Sequence, residues 1–120
     1  MAGYRLTYFA QSGVASILAW SHEQFGAEAR VRYEALIVAA IRDAAASRSD
    51  VGRHTARPEM GAGVFSWHLS HSRDRSPGGV VNRPRHFLTC RYDGETLVTG
   101  SVLHDAMDLQ RHVDPRWTWD

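Results

Sequence analysis

Arg85-His-Phe-Leu-Thr-Cys-Arg-Tyr92, then Asp93-Gly94, then Glu95-Thr-Leu-Val-Thr-Gly-Ser-Val-Leu-His104 reads as two strands joined by a tight turn. Asp-Gly between alternating apolar runs is a strong hairpin signal, because the turn residues that match strand twist need positive φ. A two-residue turn there pairs Tyr92 with Glu95, Cys90 with Leu97, Leu88 with Thr99 and His86 with Ser101. Successive side chains point to opposite faces. Leu88, Cys90, Leu97 and Leu103 therefore share one face, the expected core face, and His86 joins it as a structural histidine. Arg85, Phe87, Thr89, Arg91, Thr96, Val98, Val102 and His104 fall on the other. Phe87 is expected opposite Gly100, where an aromatic ring covers a strand glycine.

Upstream, Tyr4-Arg5-Leu6-Thr7 alternates like a short strand, and Thr7 suits a helix N-cap. Ala10, Val14, Ile17 and Leu18 then mark one helical face over residues 9–24. Gly13 is an odd interior residue there, and Phe25-Gly26 ends the helix with a residue fitted to a left-handed cap. Tyr33, Leu36, Ile37, Ala40, Ile41 and Ala44 give a second helix over residues 27–47. So short a link makes an antiparallel helical hairpin. Residues 48–63 read as a loop, and residues 64–70 as a strand with Phe65, Trp67 and Leu69 facing inward and His68 outward. Residues 71–84 form a second, arginine-rich loop, and residues 107–113 a short closing helix stopped by Asp114-Pro115. The expected fold class is α+β: a helical hairpin packed on one face of an antiparallel sheet, in the order β-α-α-β-β-β. Residues 1–113 make one domain and 114–120 a tail.

A chain of 120 residues, 43% hydrophobic, suits one domain with a core of its own. No apolar run is long enough to span a membrane and no signal-peptide core opens the chain, so a cytoplasmic protein is expected. Cys90 is the single cysteine, which excludes an intramolecular disulfide and a cysteine zinc site. His22-Glu23 and His68-x-x-His71 have ligand-like spacing, but neither has a third ligand in place, so no metal or other cofactor is expected. The net charge of +1 hides an uneven spread. Residues 53–91 hold seven arginines against Glu59 and Asp74, a balance of 7 − 2 = +5, whereas residues 92–120 hold two against six acids, or 2 − 6 = −4. A basic middle region attracts an acidic protein segment or a polyanion, and it also fits a solvated loop surface.

Several stretches together resemble the ParE branch of the RelE/ParE toxin superfamily. They are Tyr4-Arg-Leu-Thr before the first helix, Phe25-Gly26 at its end, and Tyr33-x-x-x-Ile37 on the second helix. Gly61-Ala-Gly-Val-Phe-Ser-Trp-His, Arg85-His-Phe-Leu-Thr-Cys-Arg-Tyr and the ending Val102-Leu-His-x-x-Met-Asp-x-x-Arg-His complete the likeness. The ending is the most specific part. The loop over residues 72–82 is longer than the family pattern. The resemblance implies the toxin of a type II toxin–antitoxin pair, acting by binding DNA gyrase without a chemical step of its own. It also implies a ParD-like antitoxin whose acidic-apolar segment folds onto the toxin in a hetero-oligomeric complex.

The partner-binding residues expected from charge, aromatic character and motif are Trp20, Arg57, Arg73, Arg75, Arg85, Arg91, His104, Met107, Arg111, Trp117 and Trp119. The alternative is a RelE-like endoribonuclease acting on mRNA in the ribosome. RNA cleavage needs a base for the 2′-hydroxyl, cations for the phosphorane and an acid for the leaving oxygen. His104, His68, Arg85 and Arg91 would supply those groups, with Glu59 as a further carboxylate. The plainer reading of His104 is a hydrogen bond to its own turn beside Asp105 or Asp108. No lysine is present and no tyrosine follows Tyr92, which departs from the RelE pattern and favours ParE.

Overall fold

Strand β1 (Gly3–Leu6) runs into helix α1 (Tyr8–Phe25), and α2 (Ala27–Ala46) returns beside it. A two-residue strand β2 (Thr55–Ala56), then β3 (Phe65–His68), β4 (His86–Asp93) and β5 (Thr96–His104) follow. The structure, a computed structural model, describes residues 3–46, 53–76, 79–107 and 118–120. Thr7 caps α1: its hydroxyl accepts the Ala10 N–H at 3.1 Å and donates to the Gly100 carbonyl at 2.9 Å. One side chain thus closes the helix end and ties it to β5. Gly26, at φ 92, ends α1 by donating its N–H to the His22 carbonyl at 2.9 Å.

The five strands lie in the order β1-β5-β4-β3-β2. The α+β class and the helical hairpin on a sheet are as expected, but the sheet is mixed. β1 pairs parallel with β5, while the other pairs are antiparallel. β2 arises in the stretch read as loop, and the strand expected over residues 64–70 ends at His68, where a 3₁₀ segment, Leu69–Arg75, takes over its last two residues and the start of the second expected loop. Two residues are too few to show alternation, so periodicity had nothing to find at β2.

Inward, Leu36, Ile37, Ala40, Ile41 and Ala44 of α2 meet Phe65, Trp67, Leu88, Cys90 and Leu97 of the sheet. Trp67 is fully buried and satisfies its indole N–H on Ser72 Oγ at 3.1 Å. Burying so large a ring with its donor paired makes it a major packing contribution. The Tyr92 hydroxyl donates to the Ala44 carbonyl at 2.9 Å, fixing α2 across the sheet.

The hairpin corrects the expected register. Asp93 pairs with Thr96, so Gly94 and Glu95 are the central turn residues, with Gly94 at φ 61. Tyr92 therefore pairs with Leu97, two residues beyond the expectation. A shift of two keeps every side chain on its face. The faces exchange further along, where Cys90 pairs with Thr99 but Thr89 pairs with Ser101. Gly100 is the extra residue of this bulge. Beyond it Val102 joins the main core, and Leu103 packs with Phe87, Met60 and Met107 on the side away from the helices. Phe87 thus pairs with Leu103, not Gly100, and His86 pairs with His104, not Ser101. His104 follows Val102 to the helix side. Among the described residues no helix is long and apolar enough to cross a membrane.

Candidate functional site

The ends of β4 and β5 bring a set of polar side chains to one carboxylate. Asp105, the first residue past β5, donates its backbone N–H to the Arg85 carbonyl at 2.8 Å, which continues the ladder by one rung. Its Oδ1 accepts the Arg85 Nε–H at 3.1 Å, and its Oδ2 lies 3.0 Å from His68 Nε2. His68 Nδ1 accepts the Ser70 N–H at 3.1 Å, which leaves Nε2 as the protonated nitrogen that donates to Asp105. The hydrogen bond from His68, with Arg85 adding to it, holds the Asp105 carboxyl below the usual carboxylate range. His104 Nδ1 accepts the Ala106 N–H at 3.1 Å and lies 3.8 Å from Asp105 Oδ1. The plain reading of His104, a bond to its own turn, is what the structure shows.

Beneath this cluster, the Tyr33 hydroxyl meets His86 Nδ1 at 2.5 Å and accepts the Arg85 backbone N–H at 3.3 Å. With its lone pair engaged by that amide, the hydroxyl donates its proton to His86. Burial pushes the Tyr33 phenol up to about 12, and burial with the neighbouring His104 pushes His86 down to about 4. Both are neutral near pH 7. Their pKa values lie too far apart for proton exchange, so the pair positions backbone and rings.

Above Tyr33 and His86 a groove of about 410 Å³ opens between the helical hairpin and the loop that leads into β4. Ile17, Trp20 and Phe25 of α1 form one wall, and Val80, Val81 and Arg83 the other. Trp20 and Phe25 meet edge to face at 5.7 Å, with 53% and 68% of their surface exposed. Among the described residues no carboxylate lines the groove, whereas Arg32, Arg83 and Arg85 all do. Exposed aromatics with arginines around them have the composition of an interaction surface.

The residues singled out from sequence fall in separate places. Trp20, Arg85 and His104 line the groove. Of the four groups considered for RNA cleavage, Asp105 gathers His68, Arg85 and His104. Arg91 lies six residues along from Arg85, where its guanidinium stacks 4.8 Å from the Trp119 ring. Trp119 in turn covers Gly100, and its carbonyl accepts a hydrogen bond from Arg5 at 2.9 Å. Arg57 reaches Ser66 Oγ at 2.9 Å, lies over the Phe87 ring at 5.3 Å, and stands 3.9 Å from Glu59. Arg75 pairs with Asp43 at 3.1 Å, and Arg73 Nε is buried without a hydrogen-bond partner among the described residues. Met107 packs on Phe87 and Leu103. Arg111, Trp117 and the closing helix expected over residues 107–113 lie outside the described residues, apart from Met107 itself.

From sequence, Asp105 stood only as a neighbour for His104, and Tyr33 only as part of a helical stripe and of the ParE-like motif on the second helix. The expected register set Arg85 opposite Val102, so nothing in the sequence signalled that Asp105 meets Arg85; the observed register and the bulge at Gly100 bring them level. Nothing local marks the Tyr33–His86 contact, which joins residues 53 positions apart.

No protein-family model matches the chain, and no curated protein matches it. Among solved structures, a chain of the chromosomal ParDE TA system from P. aeruginosa is similar, with a TM-score of 0.59 at 14% identity. The alignment covers 87% of this chain and 96% of that one. The helical hairpin on its sheet is therefore a fold shared with that chain over nearly the whole length of both.

Proposed function

We propose that this chain is the toxin of a type II toxin–antitoxin pair, that it binds DNA gyrase in the cytoplasm, and that a ParD-like antitoxin neutralises it in a hetero-oligomeric complex. The observation that carries the reading is the fold likeness to a chain of a ParDE system, spanning nearly all of both chains. The sequence motifs that resemble ParE, above all Val102-Leu-His with Met107 and Arg111, are independent support.

The geometry favours inhibition by binding over RNA cleavage. His68 donates its one ring N–H and Arg85 its Nε–H to Asp105, and His104 Nδ1 is occupied by a backbone amide. Arg91 stands apart under Trp119. The gathering of His68, His104 and Arg85 is what keeps the ribonuclease as a second reading. Expression of the chain should arrest growth, and the purified protein should inhibit gyrase supercoiling or accumulate cleaved DNA. Cleavage of ribosome-bound mRNA that disappears in His104→Ala would install the second reading instead. Growth without arrest would reject both.

A further inference from the structure

We propose that the outward face of α2 is a self-complementary surface on which a second copy of this chain packs with its own α2 antiparallel. The pairing needs neither toxin activity nor an antitoxin.

Helix α2 buries Leu36, Ile37, Ala40, Ile41 and Ala44 against the sheet. On its opposite side Glu28, Val31, Ala35, Val38 and Arg42 recur at spacings of 3, 4, 3 and 4, which puts all five on one stripe. The solvent face of such a helix is ordinarily polar. Here Val31 and Val38 are 61% and 38% exposed, with the small, half-buried Ala35 between them. Val31, Ala35, Val38 and Arg42 line one groove of about 570 Å³, with Arg75 beside them. Arg75 pairs with Asp43 at 3.1 Å, so the 3₁₀ segment that borders the groove is tied to α2.

The order of charges along the stripe identifies the partner. Glu28 and Arg42 stand seven residues either side of Ala35, and both are exposed. Among the described residues neither takes part in an ion pair. A two-fold axis at Ala35 sets each Glu28 against the partner's Arg42 and each Val31 beside the partner's Val38. Ala35 then meets its own copy, and so small a side chain lets the two helices approach closely. A parallel pair would instead put Glu28 on Glu28 and Arg42 on Arg42, so the stripe also selects the direction.

Sedimentation equilibrium of the purified chain at low salt tests the pairing, and the parent should dimerise reversibly. Glu28→Arg and Arg42→Glu should each weaken the dimer about tenfold, because symmetry turns both attractive pairs repulsive. The double variant Glu28→Arg with Arg42→Glu should return to within about twofold of the parent. That rescue cannot arise inside one chain, since the two positions lie about 21 Å apart along a single helix. Val38→Asp should abolish self-association at every salt concentration, because the lost contact is apolar. These are exposed positions, so every variant should keep the parent's circular dichroism. A parent that stays monomeric overturns the proposal, and so does a dimer that ignores the charge reversals. If the parent is monomeric and Val38→Asp loses binding to the product of the adjacent reading frame, the face serves a different protein and the proposal falls.

Discussion

Gly100 is where one residue governs the faces of the sheet. It is the unpaired residue of the bulge, and the Trp119 ring lies over it. A methyl group there would come within 2.5 Å of the ring, closer than real contacts allow. Gly100→Ala should therefore unseat Trp119 and cost about 1–3 kcal/mol in urea unfolding. In a Trp119→Ala background the same change should be nearly neutral, because the clash has gone. A double-mutant cycle reads that difference directly. An aromatic covering Gly100 was anticipated from sequence, but with Phe87 in that role. The actual ring comes from the far end of the chain, and no local pattern links residue 119 to residue 100.

Helix α1 shows how much of an element is local. Thr7 at its start, Gly26 at its end and the buried face through Ala10 and Leu18 are all readable from spacing and residue type. Gly13 is not. Its conformational freedom costs a helix about 1 kcal/mol against alanine. The nearest atom to a Cβ built there is the Val102 carbonyl oxygen at 3.7 Å, an ordinary contact. Gly13→Ala should thus raise stability by about 0.5–1 kcal/mol, seen as a higher thermal midpoint. A loss would mean that α1 must shift on β5 to admit the methyl. The hairpin shows the converse: its two strands were legible, but which turn residues close it, and hence the register, was not.

Across the whole molecule, the polar cluster at the ends of β3, β4 and β5 should set the acid response. His86 is held neutral, with its pKa pushed down to about 4 from an ordinary 6.5. As pH falls through that window the unfolded chain takes up the proton and the folded one does not, so stability declines from pH 6.5 towards 4. Partial solvent contact reduces the effect to about 1–2 kcal/mol. Denaturant melts at pH 7 and pH 5 should show the loss, and His86→Gln should shrink it. Asp105 acts in a lower window. Its carboxyl is depressed, so its contribution is present above the unfolded value near 3.9 and is lost as pH falls through the folded one. The histidines themselves were visible in the sequence. That His68 and His104 share Asp105, while His86 turns to Tyr33, follows from β3, β4 and β5 ending level and from the bulge that sends His104 to the helix side. By itself the sequence determined β1, the two long helices, the strands β3 to β5, the helix caps, the inward stripes of the helices and the α+β class, because periodicity and capping act between residues a few positions apart. Only the tertiary structure decided the parallel pairing of β1 with β5, the exchange of faces at Gly100, and the groove between the helical hairpin and the loop into β4. Each depends on contacts between distant segments, and a one-residue bulge changes every side chain beyond it.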